Sequence, residues 1–588
     1  MCGIAGLFTR DGSSPDQSVL QHLASALAHR GPDGEGRYVN AGIGLVHRRL
    51  AIIDLETGDQ PLSEPDGAVL IANAEIYNYV ELRDALVGVS FATASDCEPP
   101  LHLYRKVGAM FDEKLRGMYA IALYDPASNH LVLSRDPFGI KPLYYADSSQ
   151  GFAFASEPQA LIAAGIVEPH VNPKVRDELL ELQFTTGVDT IFSGIKRVLP
   201  GETLVISAGE IIERHRKEAL PSNPTPIAAD QSEAMAHLDL ALKDSISMHQ
   251  RSDVPFGMFL SGGVDSSVLL SLMAELNDHP VLAFTAGFPG SGAHDEREHA
   301  RMLAEHVGAR HVDVAIEEKD FWELLPEIAA AMDDPAADYA VLPTYVLGRL
   351  ASQNVKVVLS GEGGDELFAG YGRYRSTRRP RWLGGRVMRS RGTFDNLGVL
   401  RHSTVGWREG IVAAESCAAI TGRTPLQVAQ ATDCADWLPH DLLLKVDRCL
   451  MTHGVEGRVP LLDPAVVAAI YPLSDHFKVN KGIGKYLLRQ WLDRRLPESA
   501  PFLKKRGFTV PVGEWISSRS ERLGALVGVA PGIREICYPE GVAKIFNSVG
   551  KRESFAAWTL LFYALWYRRH ILGQYPNGDV FDCLSMTT

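Results

Sequence analysis

Val254-Pro255-Phe256-Gly257-Met258-Phe259-Leu260-Ser261-Gly262-Gly263-Val264-Asp265-Ser266-Ser267 decides how the second half of this chain is read. The apolar run Val254–Leu260 reads as a strand, and the apolar spacing over Ser267–Leu276 reads as a helix. Between them lies a turn of glycine and serine. Glycine lets a backbone approach a ligand closely, and the amides at a helix N-terminus favour anions. The loop therefore suits phosphate, although it lacks the Gly-Lys-Ser/Thr ending of a Walker A loop. Asp265 would repel phosphate unless a divalent cation stood between them, so the loop implies Mg²⁺. The plain alternative is a glycine-rich turn without a ligand, and the strand before it and helix after it argue against that.

Strand and helix continue to alternate beyond this point. Val281–Phe288, Arg310–Ile316 and Lys356–Ser360 read as strands, and Glu296–Val307 reads as a helix. Such βαβ repetition predicts a parallel sheet covered by helices, with ligands held beyond the carboxyl ends of its strands. A second loop, Gly361-Glu362-Gly363-Gly364-Asp365-Glu366, follows Lys356–Ser360 and should meet the first at one cleft. Asp265 and Asp365 could then share Mg²⁺ and leave Glu362 as an acid or base. Taken alone, this second loop could also be a solvated acidic turn.

The first half reads differently. Gly42–Asp54, Ala68–Tyr79, Gly117–Asp125, His130–Asp136 and Gly151–Ser156 are short apolar runs between turn signals, expected as strands. Residues 211–232 mix charges with Pro221, Pro224 and Pro226 and read as a linker. The chain thus divides into a domain over 1–210, the linker, a domain over 233–572 and a loose tail over 573–588.

Composition narrows the function classes. The 588 residues carry a formal net charge of −14, which argues against a general nucleic-acid-binding surface. No run of about 18 apolar residues indicates a membrane span, and the N-terminal stretch lacks the layout of a signal peptide. Seven cysteines (2, 97, 417, 434, 449, 537, 583) show no Cys-x-x-Cys spacing, as expected for reduced thiols in a cytoplasmic enzyme. Cys2 directly follows Met1. Removal of Met1 would place a thiol and a free α-amine on one residue. An α-amine ordinarily titrates at roughly pH 7.7–8.0, so near neutrality it can serve as base to that thiol.

Both halves carry family motifs in order. The first half holds Met1–Gly6, His29-Arg30-Gly31-Pro32-Asp33, Arg49–Asp54, Asn73-Ala74-Glu75-Ile76-Tyr77-Asn78 and Ser95-Asp96-Cys97-Glu98. The second holds Ser261–Ser267, Ser360–Glu366, Leu442–Arg448 and Arg458–Asp463. Through them the chain resembles the glutamine-hydrolysing asparagine synthetases over nearly its whole length, up to about residue 570. The resemblance implies an α+β N-terminal domain, the αββα sandwich of N-terminal-nucleophile hydrolases. It implies an α/β ATP-pyrophosphatase domain behind it, with helices on both faces of a parallel sheet.

The resemblance also implies roles. Cys2 would attack the amide of glutamine, with Asn73 and the N–H of Ala74 as oxyanion donors. Arg49, Ile53, Asn73, Glu75 and Asp96 would bind glutamine, Arg49 at its α-carboxylate and Glu75 and Asp96 at its ammonium. ATP would lie on Leu260, Ser261, Gly262, Gly263, Val264, Asp265, Ser266, Ser267, Ala286, Ser360 and Gly361. Asp265 and Asp365 would hold Mg²⁺, Glu362 would take a proton from the attacking ammonia, and Lys485 would neutralise charge at the α-phosphate. The implied acceptor is aspartate, activated as an acyl-adenylate and amidated by channelled ammonia. A homodimer would suit the resemblance. Met118 could face the domain interface or sit in the core.

Three departures stand out: Ala74 where the family usually has glycine, Pro99-Pro100 after Glu98, and Tyr339-Ala340-Val341 after Asp338 where Pro-Ser-Ala is usual. The last raises a different carboxylate acceptor as an alternative. A scaffold that has lost catalysis would be marked by a missing Cys2, Asp265 or Glu362, and all three are present.

Overall fold

The computed structural model describes residues 2–64, 67–222, 230–290, 295–377, 387–503, 510–548 and 550–586. The first half holds two six-stranded antiparallel sheets. One runs in the order Ile195–Arg197, Tyr144–Ser148, Gly151–Ala155, Gly3–Phe8, Ile43–Arg49, Gly34–Asn40. The other runs Glu210–Arg216, Glu202–Ser207, His130–Arg135, Gly117–Asp125, Val69–Ile76, Leu62–Ser63. Period-two alternation decides which side chains go where. Ile4 and Phe8 point between the sheets with Ile71, Ala120, Leu131 and Leu204. Ala5 and Leu7 turn outward to Leu20 and Leu23 of the helix Gln17–Ala26 and Leu179 of the helix Pro173–Leu182. On the far side, Leu70, Ala72, Tyr119 and Ile121 meet Leu82 and Leu101 of the helices Tyr79–Ala85 and Glu98–Val107. The result is an αββα sandwich.

The second half is built on a five-stranded parallel sheet ordered Arg310–Ala315, Leu282–Gly287, Phe256–Phe259, Val357–Leu359, Glu456–Arg458. Alternation again divides its two faces. Met258, Ala283, Val357 and Leu359 pack with helices Gln231–His249, Val264–Leu276 and Arg297–His306. Phe284 and Val358 pack instead with helices Val341–Ala351 and Leu443–Met451. The chain moves outward from Phe256–Phe259 on one side and returns to its other side at Val357–Leu359, which makes the gap between those two strands the topological switch point. The Ser261 and Ser360 loops leave the sheet there.

Two boundaries expected from the sequence are corrected. Within the expected 211–232 linker, residues through Arg216 belong to the edge strand Glu210–Arg216, paired with Glu202–Ser207, and Gln231 already opens a 19-residue helix. Residues 223–229 of that stretch lie outside the described residues. The expected loose tail contains the helix Val580–Ser585, capped by Asp579, with Phe581 and Leu584 buried in the core. Among the described residues, no helix is long and apolar enough to cross a membrane.

Buried arginines join the halves. The Arg30 guanidinium, fully buried, donates to both Asp447 oxygens at 2.7 and 2.9 Å and to Glu157 at 2.7 Å. Arg448 lies 3.7 Å from Glu157 while donating to Asp333 of its own half at 2.7 Å, and Arg197 clamps Asp334 at 2.8 and 2.9 Å. Arg116 holds Asp463 at 2.8 and 2.9 Å. Removing one partner from a buried ion pair typically costs about 3–5 kcal/mol, because the other charge stays buried. Arg30→Ala is therefore expected to lower the thermal midpoint markedly, and a midpoint equal to that of the unaltered protein would contradict this role.

Candidate active sites

Cys2 precedes the central strand Gly3–Phe8, and the neighbouring sheet brings Val69–Ile76 against it. The Cys2 N–H donates to Asn73 Oδ1 at 2.9 Å, and Arg30 Nε donates to the Cys2 carbonyl at 3.2 Å. Cys2 is buried, and burial pushes its thiol pKa up. Along Val69–Ile76, the N–H of Ala72 donates to Gln60 Oε1 at 2.6 Å and that of Ile76 to Asp96 Oδ2 at 2.8 Å. Ala74 lies between them. Its ladder partner Tyr119 spends its own N–H and carbonyl on Asp136, so the Ala74 N–H is turned to the same edge as its two neighbours. Asn73 Nδ2, also buried, has no hydrogen-bond partner among the described residues. Asn73, which accepts from the Cys2 N–H, thus keeps its own donor open, and the Ala74 N–H next to it is turned off the ladder.

Ala74 adopts ordinary strand backbone, so this position does not require glycine. Pro99 and Pro100 stand in the first turn of the helix Glu98–Val107, where proline costs no helical hydrogen bond. Asp96 is held in front of that helix, and burial pushes its pKa up to about 6 against the opposing Ile76 N–H. Arg49 donates to Asp59 at 2.7 Å and also reaches the Asp54 carbonyl, while the Ile53 carbonyl lies at 3.5 Å from it. Glu75, expected with Asp96 at the glutamine ammonium, is close enough to Asp96 to feel its charge, and it also pairs with Arg458 of the other half at 2.9 Å. Met118 is fully buried opposite Glu75 in the ladder.

The second site is a cavity of about 740 Å³ at the switch point of the parallel sheet. Leu260, Ser261, Gly262, Gly263, Val264, Asp265, Ser266, Ala286, Ser360, Gly361, Glu362, Asp365 and Lys485 all line it, whereas Ser267 does not. Ser267 is buried, and its hydroxyl has no partner. Gly262 has φ 67°, and a Cβ there would press on His299, another wall residue. The two loops touch, since a Cβ on Gly364 would collide with the Asp265 carboxylate. Lys485 stands between them, with Nζ in contact with Asp265 and 2.7 Å from Asp365. Its φ of 55° is unusual for a non-glycine residue and sits at the entry to the helix Tyr486–Arg495. Burial opposes the charge on Lys485, but the two carboxylates outweigh it and raise its pKa. Asp265 Oδ1 is buried and accepts no hydrogen bond from the described residues.

Deeper in the cavity, Lys445 Nζ pairs with Asp338 at 2.7 Å. Burial pushes the Glu362 pKa up, with Lys445 opposing. Tyr339 does not line the cavity. It turns away and packs on Phe555 and Trp558, with ring centroids 4.9 and 5.4 Å apart.

Comparison with known proteins fits both sites. The family profile described as asparagine synthase matches residues 237–568, and that of the glutamine amidotransferase domain matches residues 1–216. The chain belongs to the asparagine synthase family. It is 31% identical to asparagine synthetase [glutamine-hydrolyzing] 1 of Bacillus subtilis, over 99% of this chain and 98% of that protein. It is 29% identical to asparagine synthetase B of Escherichia coli, over 89% of this chain and 84% of that protein. A further relative, amidase chyE of Penicillium rubens, is 32% identical over 64% of this chain and 60% of its own length. With both domains present, this family member is a glutamine-dependent carbon–nitrogen ligase.

Arg30, Asp447, Arg448 and Arg458 stand within the sequence motifs, yet the sequence alone gave them no role. A signal was available, since Leu442-Leu443-Leu444-Lys445-Val446-Asp447-Arg448 sets three charges in an apolar helix, and buried charges need partners. The position of Asp96 gives a test. Above pH 6 the protein keeps a buried carboxylate charged, which disfavours folding, and this burden disappears as pH falls towards the unfolded value of about 3.9. Asp96→Asn is expected to raise the thermal midpoint at pH 8, with the gain shrinking as pH falls through 6. A lower midpoint at pH 8 would contradict the buried-charge reading.

Proposed function

We propose that the enzyme forms asparagine from aspartate, glutamine and ATP, releasing glutamate, AMP and pyrophosphate, in a reducing cytoplasmic setting. One observation carries most weight: two glycine loops at the switch point bring Asp265, Asp365, Glu362 and Lys485 to one cavity, while Cys2 in the other half stands against Asn73 and its open donor.

With Met1 removed, the Cys2 amine would remain beside Asn73 Oδ1 and take the thiol proton. Sulfur would attack the glutamine amide carbon, and Asn73 Nδ2 with the Ala74 N–H would receive the oxyanion. One such donor typically contributes roughly 2.7–4 kcal/mol to lowering the barrier. Collapse would expel ammonia and leave a thioester, which water opens to glutamate. Arg49 would meet the glutamine carboxylate and Asp96 its ammonium. Glu75, held in place by Arg458, would share that contact with Asp96.

In the cavity, an oxygen of the acceptor carboxylate would attack the α-phosphorus and pyrophosphate would leave. The Ser261–Ser267 loop would hold the phosphates and the edge at Ala286 the adenine. Two carboxylates with one orphaned oxygen fit Mg²⁺, which takes one or two carboxylates and completes its shell with phosphate and water. Asp265 and Asp365 would hold the ion, and when bound it supplies charge neutralisation for the departing pyrophosphate. Lys485, which stands between these two carboxylates, would face the α-phosphate. Ammonia would then attack the acyl carbon, AMP would leave and Glu362 would accept the surplus proton. Its raised pKa suits that task.

A second reading keeps this chemistry but changes the acceptor, and the relative named amidase chyE together with the Tyr339-Ala340-Val341 departure favours keeping it in view. The test is pyrophosphate release with ATP, Mg²⁺ and glutamine, with and without aspartate. Release that needs aspartate and equals asparagine formed is expected. Intact glutaminase activity without aspartate-dependent release would overturn aspartate as acceptor.

A further inference from the structure

The guanidinium proposed to receive the α-carboxylate of glutamine already carries a carboxylate of this chain. Arg49 Nη1 donates to Asp59 Oδ1 at 2.7 Å. The other arm of the fork is spent on backbone, since Nη2 donates to the Asp54 carbonyl and lies 3.5 Å from that of Ile53. The partners differ in kind. The Arg49 side chain is only 9% exposed, whereas that of Asp59 is 81% exposed. The two carbonyls hold the guanidinium from within, and Asp59 covers its remaining arm from the solvent side.

The backbone on either side of this contact is pinned. The Asp54 carboxylate accepts from the Thr57 N–H at 2.9 Å, the Thr57 hydroxyl at 2.6 Å and the Ala94 N–H at 2.9 Å. The Asp54 N–H donates to Asp253 Oδ2 of the other half at 2.7 Å, and the Asp253 N–H donates to the Ile52 carbonyl at 3.0 Å. A Cβ on Gly58 would lie 2.8 Å from Arg49 Nη2, so the turn runs directly against the guanidinium. Beyond Asp59, Gln60 is buried and accepts the Ala72 N–H at 2.6 Å. Asp59 is thus presented to Arg49 by a fixed turn, and rotation of its exposed side chain is enough to let go. The contact also stands at the nucleophile. Gly3 pairs with Arg48 in the ladder, which sets Cys2 beside Arg49, and Ala94, tied to Asp54, is two residues from Asp96.

We infer that Asp59 is a built-in competitor of glutamine, holding on Arg49 the place of the substrate's α-carboxylate and so setting the affinity of the glutaminase half for its substrate. The inference rests on Arg49 as the carboxylate anchor and deepens that reading. An exposed ion pair is weak, so a ligand with further contacts displaces it. The fraction of molecules in which Arg49 is covered still reduces the apparent affinity of every ligand that needs Arg49, by the same factor for each. Ligands that make no use of Arg49 escape this factor.

The test measures glutamine hydrolysis by the full-length enzyme with two partial mimics as competitive inhibitors. Glutaric acid monoamide is glutamine without its ammonium, and 4-aminobutanamide is glutamine without its α-carboxylate. Asp59→Asn and Asp59→Ala are each expected to lower KM for glutamine and Ki for glutaric acid monoamide together, by roughly two- to fivefold. Ki for 4-aminobutanamide should stay unchanged. Turnover at saturating glutamine, and pyrophosphate release with an ammonium salt in place of glutamine, should also stay constant, which reports that the variants are folded. An unchanged or higher KM for glutamine, or an equal shift for 4-aminobutanamide, would overturn the competitor and leave Arg49 as anchor. Unaltered enzyme that binds 4-aminobutanamide as tightly as glutamine would overturn the anchor and the competitor together.

Discussion

The clasp of Arg30 on Asp447 is the contact on which the arrangement of this molecule turns. Both groups are buried, so neither can be left without the other, and the bidentate geometry fixes angle as well as distance. Arg30 simultaneously touches the Cys2 carbonyl, while Asp447 rides on the helix Leu443–Met451. That helix also carries Lys445, which faces the synthetase cavity and pairs with Asp338. A single rigid element therefore reaches, through Arg30, from the backbone of Cys2 to the wall of the second cavity.

Arg458 makes a parallel connection. Its side chain spans Glu456 at 2.6 Å and Glu75 at 2.9 Å, and its carbonyl accepts the N–H of Ser360 at 2.8 Å, at the start of the Glu362 loop. The cations around Glu456, Arg458 and Lys141 among them, overcome burial and hold its pKa at about 2. Buried ionic contacts of this kind add less to stability than their number would imply, because desolvation opposes them. Their value here lies in geometry. Under the proposed reaction, ammonia would have to stay unprotonated and the activated carboxylate dry, which calls for the two halves to be held in one orientation. Directional, bidentate arginines do this better than a greasy interface that could slide.

Much of this was legible in the sequence because it rests on short-range pattern. The strand Gly117–Asp125 has the bounds its apolar run predicts, and the glycine loops sit where strand gives way to helix. Glu210–Arg216 was not legible, since an edge strand exposed to water on much of its surface is charged in the same way as a linker. The helix Val580–Ser585 is only six residues long and gives too brief a period to recognise. Other features are long-range by nature. Arg30 and Asp447 are 417 positions apart, and nothing local to either says which carboxylate or guanidinium it meets. Glu75 illustrates the same limit: its motif suggests a glutamine contact, but only the fold reveals that Arg458 of the other half pairs with its carboxylate.

The central claim is that the two halves work as one sealed enzyme rather than as two catalysts exchanging free ammonia. The most direct measurement follows the nitrogen. Reaction with amide-¹⁵N glutamine in a large excess of unlabelled ammonium, followed by mass analysis of the amidated product, reports whether ammonia leaves the protein between sites. This account predicts product that keeps the label of glutamine. Product diluted to the isotope ratio of the surrounding ammonium would contradict it.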